Sequence, residues 1–117
     1  MGDVHAAQGH GEICGTAIEC RGEVILRVRV LKKDEITYIS WPQINNSDYI
    51  GSIACVSTSL EDAVKAAYMD MILRLEAGGF DRLDAYQLIT QIGEVLVCQS
   101  VPPLYTCVVK TRRSYIN

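Results

Sequence analysis

Both histidines of the chain, His5 and His10, fall within Gly2–Glu12. Asp3 precedes them, Glu12 follows them, and Gly2, Gly9 and Gly11 punctuate the run. In an extended segment, side chains two apart share a face, so Asp3 and His5 are expected to point the same way. A carboxylate oxygen and an imidazole nitrogen on one face are two ligands towards a zinc-type site, and a catalytic zinc takes three protein ligands plus a water. Gly9 and Gly11 permit a positive-φ turn that would swing His10 or Glu12 back over that face. Glu12 is then a candidate third ligand, or a general base acting on the bound water. The same residues also suit a polar turn leading into a first strand, because Asp-x-His is a weak pattern beside His-Glu-x-x-His.

The elements that must position these residues follow in order. Ile13–Glu19 is small and partly β-branched and is expected to leave the Gly-rich turn as a strand. Glu23–Leu31 alternates, with Val24, Leu26, Val28 and Val30 on one face and Glu23, Arg27 and Arg29 on the other. Ile25 is the apolar exception on the charged face. That pattern predicts a half-buried antiparallel strand, with Arg27 and Arg29 solvated rather than gripping an anion. Ile36–Ser40 reads as a short strand that Trp41-Pro42 ends, since proline cannot donate to a ladder. Tyr49–Val56 reads as a further strand, with Gly51 a bulge or a point of close approach. Trp41 and Tyr49 are expected to pack in or at the rim of the core.

At Ser59 the period changes. Ser59-Leu60-Glu61-Asp62 resembles a capping box, and Leu60, Val64, Ala67, Tyr68, Met71 and Leu75 follow at helical spacing. Gly78-Gly79 supplies the stop, so the helix runs about five turns. Asp81 caps a second, shorter helix carried by Leu83 to Ile92 and ended by Gly93. Glu94–Gln99 and Tyr105–Thr111 flank Pro102-Pro103 and are expected to pair as a hairpin. Strands, two consecutive helices and a C-terminal β-hairpin make an α+β layout.

The 117 residues suit one domain spanning 1–117, and the 49% hydrophobic content suits a buried core. A net charge of −3 with no Lys/Arg block longer than a pair argues against nucleic acid as the main partner. The five cysteines, Cys14, Cys20, Cys55, Cys98 and Cys107, include no Cys-x-x-Cys. They are expected to be free, mostly buried thiols in a reducing compartment. No apolar run approaches the length of a membrane span and no signal pattern opens the chain, so a cytoplasmic protein without a membrane partner is expected. A Gly-x-Ser-x-Gly elbow is absent, which excludes that class of serine hydrolase. Cys14 lies near Glu12 with nothing to mark it as activated.

Three stretches resemble the acetamidase/formamidase family of amidohydrolases. The first is Gly2-Asp3-Val4-His5-Ala6-Ala7-Gln8-Gly9-His10-Gly11-Glu12, running into Cys14-Gly15-Thr16-Ala17-Ile18-Glu19. The second is Leu60-Glu61-Asp62-Ala63. The third is Gly79-Phe80-Asp81-Arg82-Leu83-Asp84-Ala85-Tyr86-Gln87-Leu88 with Gln91-Ile92-Gly93-Glu94-Val95. The resemblance implies a β-sandwich-rich fold and the hydrolysis of short linear amides, formamide- or acetamide-like, to a carboxylate and ammonia. It implies a divalent metal, zinc or calcium, with Asp3 and His5 as ligands and Glu12 orienting or deprotonating the water. Where the family commonly has Asp, this chain has His10, which is expected to serve the metal in an auxiliary role. Members of the family are longer, and the resemblance covers their C-terminal part. The expected partners are therefore a small amide and either a missing N-terminal half or further copies in a homo-oligomer. The alternative is a noncatalytic or split-enzyme fragment acting in assembly or small-molecule binding.

Overall fold

The computed structural model describes residues 2–36 and 40–116. Its centre is the helix Leu60–Ala77 (α1). Ser59 stands just before it in extended backbone, and its hydroxyl accepts from the Asp62 amide at 3.1 Å. This satisfies one of the free amides of the first turn. Hydrogen bonds from Thr58, and then from Ser59, hold the Asp62 carboxyl below the usual carboxylate range. At the other end Gly79 takes φ +104°, and the Phe80 amide donates back to the Leu75 carbonyl at 3.2 Å.

The buried face of α1 is rotated from the expected stripe. Ala67, Met71 and Leu75 are buried as expected, joined by Ala63, Asp70 and Ile72. Leu60, Val64 and Tyr68 are only half-buried. Alanines on this face let the helix backbone approach the sheet closely, Met71 and Leu75 fill the interface, and Val64 and Tyr68 lie to the sides. Asp70 is buried on this face, and its Oδ1 accepts from the Trp41 amide at 3.2 Å. Trp41 itself packs against the core. A second helix, Arg82–Ile92 (α2), starts at Asp81, whose side chain accepts from the Leu83 and Asp84 amides. It buries Ala85 and Ile89.

Both helices cover one face of a four-stranded antiparallel sheet. Its strands are Gln43–Asn45 (β3), Tyr49–Val56 (β4), Glu94–Gln99 (β5) and Tyr105–Arg112 (β6), in the order β3-β4-β6-β5. Ile50, Ala54 and Val109 from the sheet meet Ala67, Met71, Leu75, Ala85 and Ile89 from the helices. The C-terminal hairpin is β5–β6, as expected, with an irregularity between Val97 and Gln99. Gly51 is a point of close approach: a Cβ there would sit 3.2 Å from the Lys110 Cβ. The pairing of β4 with β6 runs unbroken from Tyr49↔Arg112 to Val56↔Tyr105. Tyr49 lies on the rim, with Lys110 Nζ 4.3 Å from its ring centroid.

Arg74 ties α1 to the sheet edge. Its guanidinium donates to the Gly51 carbonyl at 2.9 Å and to Asn45 Oδ1 at 2.8 Å. Arg113 donates to the same Asn45 oxygen at 2.7 Å and to the Asn46 carbonyl at 2.6 Å. Burial, followed by the Arg113 charge, lowers the Arg74 pKa against the opposing pull of Asp70. Asn45 thus joins β3, α1 and the C-terminal segment.

The N-terminal part departs from expectation. The strand expected over residues 13–19 shrinks to Ile18–Glu19 (β2), which pairs antiparallel with His5–Ala7 (β1) in a small separate ribbon. The strand expected over residues 23–31 is not formed, and its apolar side chains are exposed. A period-two pattern needs both a ladder partner and a surface to cover, and the described residues supply neither. The strand expected over residues 36–40 falls largely on 37–39, outside the described residues. Cys107 is buried and Cys55 and Cys98 are half-buried, but Cys14 and Cys20 are exposed because they sit beside the ribbon rather than in the core; all five are free. No helix among the described residues is long and apolar enough to cross a membrane.

Two substitutions test this packing. A Cβ on Gly93 would press on the Ile89 carbonyl and sit 3.3 Å from Tyr68. Gly93→Ala is therefore expected to lose about 1–3 kcal/mol in urea unfolding. Gly9→Ala, which meets nothing within 4 Å, should unfold like the parent. Met71→Ala removes a fully buried side chain at the helix–sheet interface and is expected to cost about 2–5 kcal/mol. A change below 1 kcal/mol would contradict that placement.

Candidate functional site

The ribbon fixes the geometry of the N-terminal side chains. Antiparallel pairing places His5 directly across from Glu19, and facing side chains on paired strands are close neighbours. His5 Nε2 lies 3.1 Å from Glu19 Oε1. Asp3, two residues before His5, joins them. One ligand atom from each of Asp3, His5 and Glu19 lies within 4.8 Å of the others, and all three residues are exposed. Two carboxylates and one imidazole, open to solvent on one side, form the kind of three-donor set that a catalytic zinc uses.

Asp3 and His5, expected to share a face, lie together in this cluster; Glu19 was not picked out from the sequence. Glu19 lies 14 residues beyond His5 in the chain, and only the register of the ribbon brings it across. The signal available was a carboxylate closing a short strand-like stretch, and nothing in that stretch names its partner strand.

His10 and Glu12 lie outside this three-residue cluster. Gly11 adopts φ +83°, the left-handed turn that the glycine-rich run anticipates. That turn carries the chain to the end of β5 instead of folding it over Asp3 and His5. Glu12 forms a parallel bridge with Gln99. The Ser100 amide donates to the Glu12 carbonyl at 3.0 Å, and the Ser100 hydroxyl donates to the Gly11 carbonyl at 2.6 Å.

His10 lines a cavity of about 290 Å³ on the sheet face away from the helices. Its walls include Ile44, Tyr49, Leu96, Cys98, Val108 and Lys110. Lys110 also pairs with Glu94 at 3.3 Å. Burial pushes the Cys98 thiol up from its ordinary pKa, which keeps it protonated and makes it a poor nucleophile.

The fold is thus an α+β layer carrying an open carboxylate–imidazole centre on its N-terminal ribbon and a largely apolar cavity on its sheet. The chain belongs to the Acetamidase/Formamidase family, which matches residues 1–101. Two solved structures resemble it. An acetamidase from Yersinia enterocolitica is 35% identical with a TM-score of 0.77, the match covering 97% of this chain and 33% of that one. An acetamidase from Bacillus halodurans is 30% identical with a TM-score of 0.82, the match covering 95% of this chain and 37% of that one. The chain therefore spans about a third of the length of these acetamidases. A comparison with curated proteins finds no match.

The path of the Gly11 turn can be tested directly. Gly11→Ala forces an L side chain into the left-handed region, at about 1–2 kcal/mol. It is expected to accelerate hydrogen exchange at the Ser100 amide, whose acceptor is the next residue, Glu12. Gly15→Ala, in open space, should leave that exchange rate alone. Equal rates in the two variants would show that the turn does not hold Glu12 against β5.

Proposed function

We propose that this chain carries the metal-binding part of an amidase that hydrolyses short linear amides, formamide- or acetamide-like, to a carboxylate and ammonia. The observation that carries the reading is the convergence of Asp3, His5 and Glu19 within 4.8 Å in a chain of the Acetamidase/Formamidase family. These three residues would hold the cation. Zinc suits a set of this size, and calcium suits its two carboxylates. When bound, the cation supplies Lewis acidity, drawing the pKa of water towards about 7 and polarising the amide carbonyl.

The chain's own residues supply the remaining steps. In this reading Glu12, which the family resemblance assigns as the base, accepts the proton of the attacking water and delivers it to the amide nitrogen, which leaves as ammonia, although its backbone is held at the end of β5, outside the three-residue cluster. The cavity lined by His10, Ile44, Leu96 and Val108 is large and apolar enough to take a short acyl group. His10, which lines that cavity, acts as an auxiliary group on the substrate side, not as a primary ligand. Free thiols, two of them exposed, support a reducing, cytoplasmic setting.

A second reading has its own support. The exposed apolar stretch over residues 23–31 and the one-third coverage of the solved acetamidases favour a piece that works only with further polypeptide. In that reading the same residues contribute to a split or assembled enzyme, and the isolated chain is inactive.

Ammonia release from formamide and acetamide with added zinc separates the two. Release above the metal-only control, abolished by His5→Ala, is expected if the chain holds a complete site. Absence of release favours the assembled form. Asp3→Ala, His5→Ala and Glu19→Ala are each expected to weaken zinc binding by at least about tenfold in calorimetry; unchanged binding in all three would remove the ligand assignment. Glu12→Gln is expected to keep zinc while turnover falls about 10²–10⁴-fold. Full activity in that variant would take Glu12 out of the mechanism.

A further inference from the structure

We propose that residues 23–31 are a strand-addition arm whose partner is the polypeptide forming the other two-thirds, roughly, of the acetamidase fold. The inference rests on family membership and not on the metal reading. The arm carries the alternation of a half-buried strand, yet Val24, Ile25, Leu26, Val28 and Val30 are between 53% and 91% exposed. Its backbone joins neither sheet among the described residues. An extended segment of this kind offers a full row of amides and carbonyls together with an apolar face, which is what strand addition requires.

The shape of the molecule agrees. The radius of gyration is 15.6 Å, against about 13 Å for a compact domain of this length, and the longest dimension is 44 Å.

The solved acetamidases point to the occupant. The matched spans take in 95% and 97% of this chain, so an internal segment such as the arm lies within them. Those chains are about three times as long. A strand that keeps its place in such a chain, and finds no neighbour in the matched third, has its neighbour in the remainder. Two copies of the arm pairing with each other would make only an isolated two-stranded ribbon, which is marginal in water. The charged face suits an edge that must stay soluble until it is covered: Arg27 and Arg29 alternate on it, and Arg29 is paired with Glu35.

The test replaces the matched third of the Bacillus halodurans acetamidase with this chain and follows amide hydrogen exchange beside the isolated chain and the parent enzyme. Amides of residues 23–31 are expected to exchange freely in the isolated chain and about 100-fold or more slowly in the chimera. Val28→Lys should cancel that protection in the chimera and leave the melting temperature of the isolated chain unchanged. A folded chimera with an unprotected arm would overturn the proposal. So would an arm protected in the isolated chain by concentration-dependent self-association, which would make a second copy the occupant. An insoluble chimera from two soluble parents also counts against it. Ammonia release plays no part in the readout, so an inactive site and a wrongly assigned arm remain distinguishable.

Discussion

The close contact between α1 and the two central strands organises everything else in the molecule. Ala67 and Met71 on the helix meet Ala54 on β4 and Val109 on β6. Small residues on both sides let the helix settle near the sheet, and interiors packed this tightly tolerate little change in volume. Once α1 is seated, Arg74 reaches the β4 backbone and the Asn45 side chain. That anchors the short edge strand β3 and, through Arg113, the C-terminal segment. A half-buried guanidinium is stabilised here by carbonyl and amide oxygens placed to receive its planar fork of donors.

This layer also sets the positions of the chemical groups. The end of β5 presents Ser100, which holds the Gly11–Glu12 backbone. Glu12 and His10 are thereby fixed relative to the sheet face and its cavity. Asp3, His5 and Glu19 belong instead to the β1–β2 ribbon, where cross-strand pairing brings them together. The candidate chemistry is divided between two supports: three donors on a small exposed ribbon, and a carboxylate and an imidazole held against the core sheet. A ribbon of this size gains little stability of its own. Preorganising its donors therefore depends on whatever packs beside it.

Much of the fold was legible because local signals and the final structure agreed. Ser59, Gly79, Asp81 and Gly93 mark helix ends through hydrogen bonds and backbone angles that are decided within a few residues. The β5–β6 hairpin follows from two apolar runs separated by a short turn. The family was legible too, through ordered stretches along most of the chain. The arm was misread because alternation predicts a strand only where a sheet is there to receive it, and residues 23–31 join neither sheet among the described residues. The buried Asp70 and the rotated face of α1 were missed because spacing fixes a helix but not which side of its stripe meets the sheet.

By itself, then, the sequence determined the helices with their caps, the C-terminal hairpin, the family, and the pairing of Asp3 with His5. Each of these depends on neighbours in the chain or on ordered motifs. Only the tertiary structure decided that Glu19 completes the donor cluster and that Glu12 and His10 turn towards the sheet. The physical reason is strand register and loop direction: both are set by pairings between residues far apart in the chain, and nothing in the local spacing of Gly2–Glu12 encodes them.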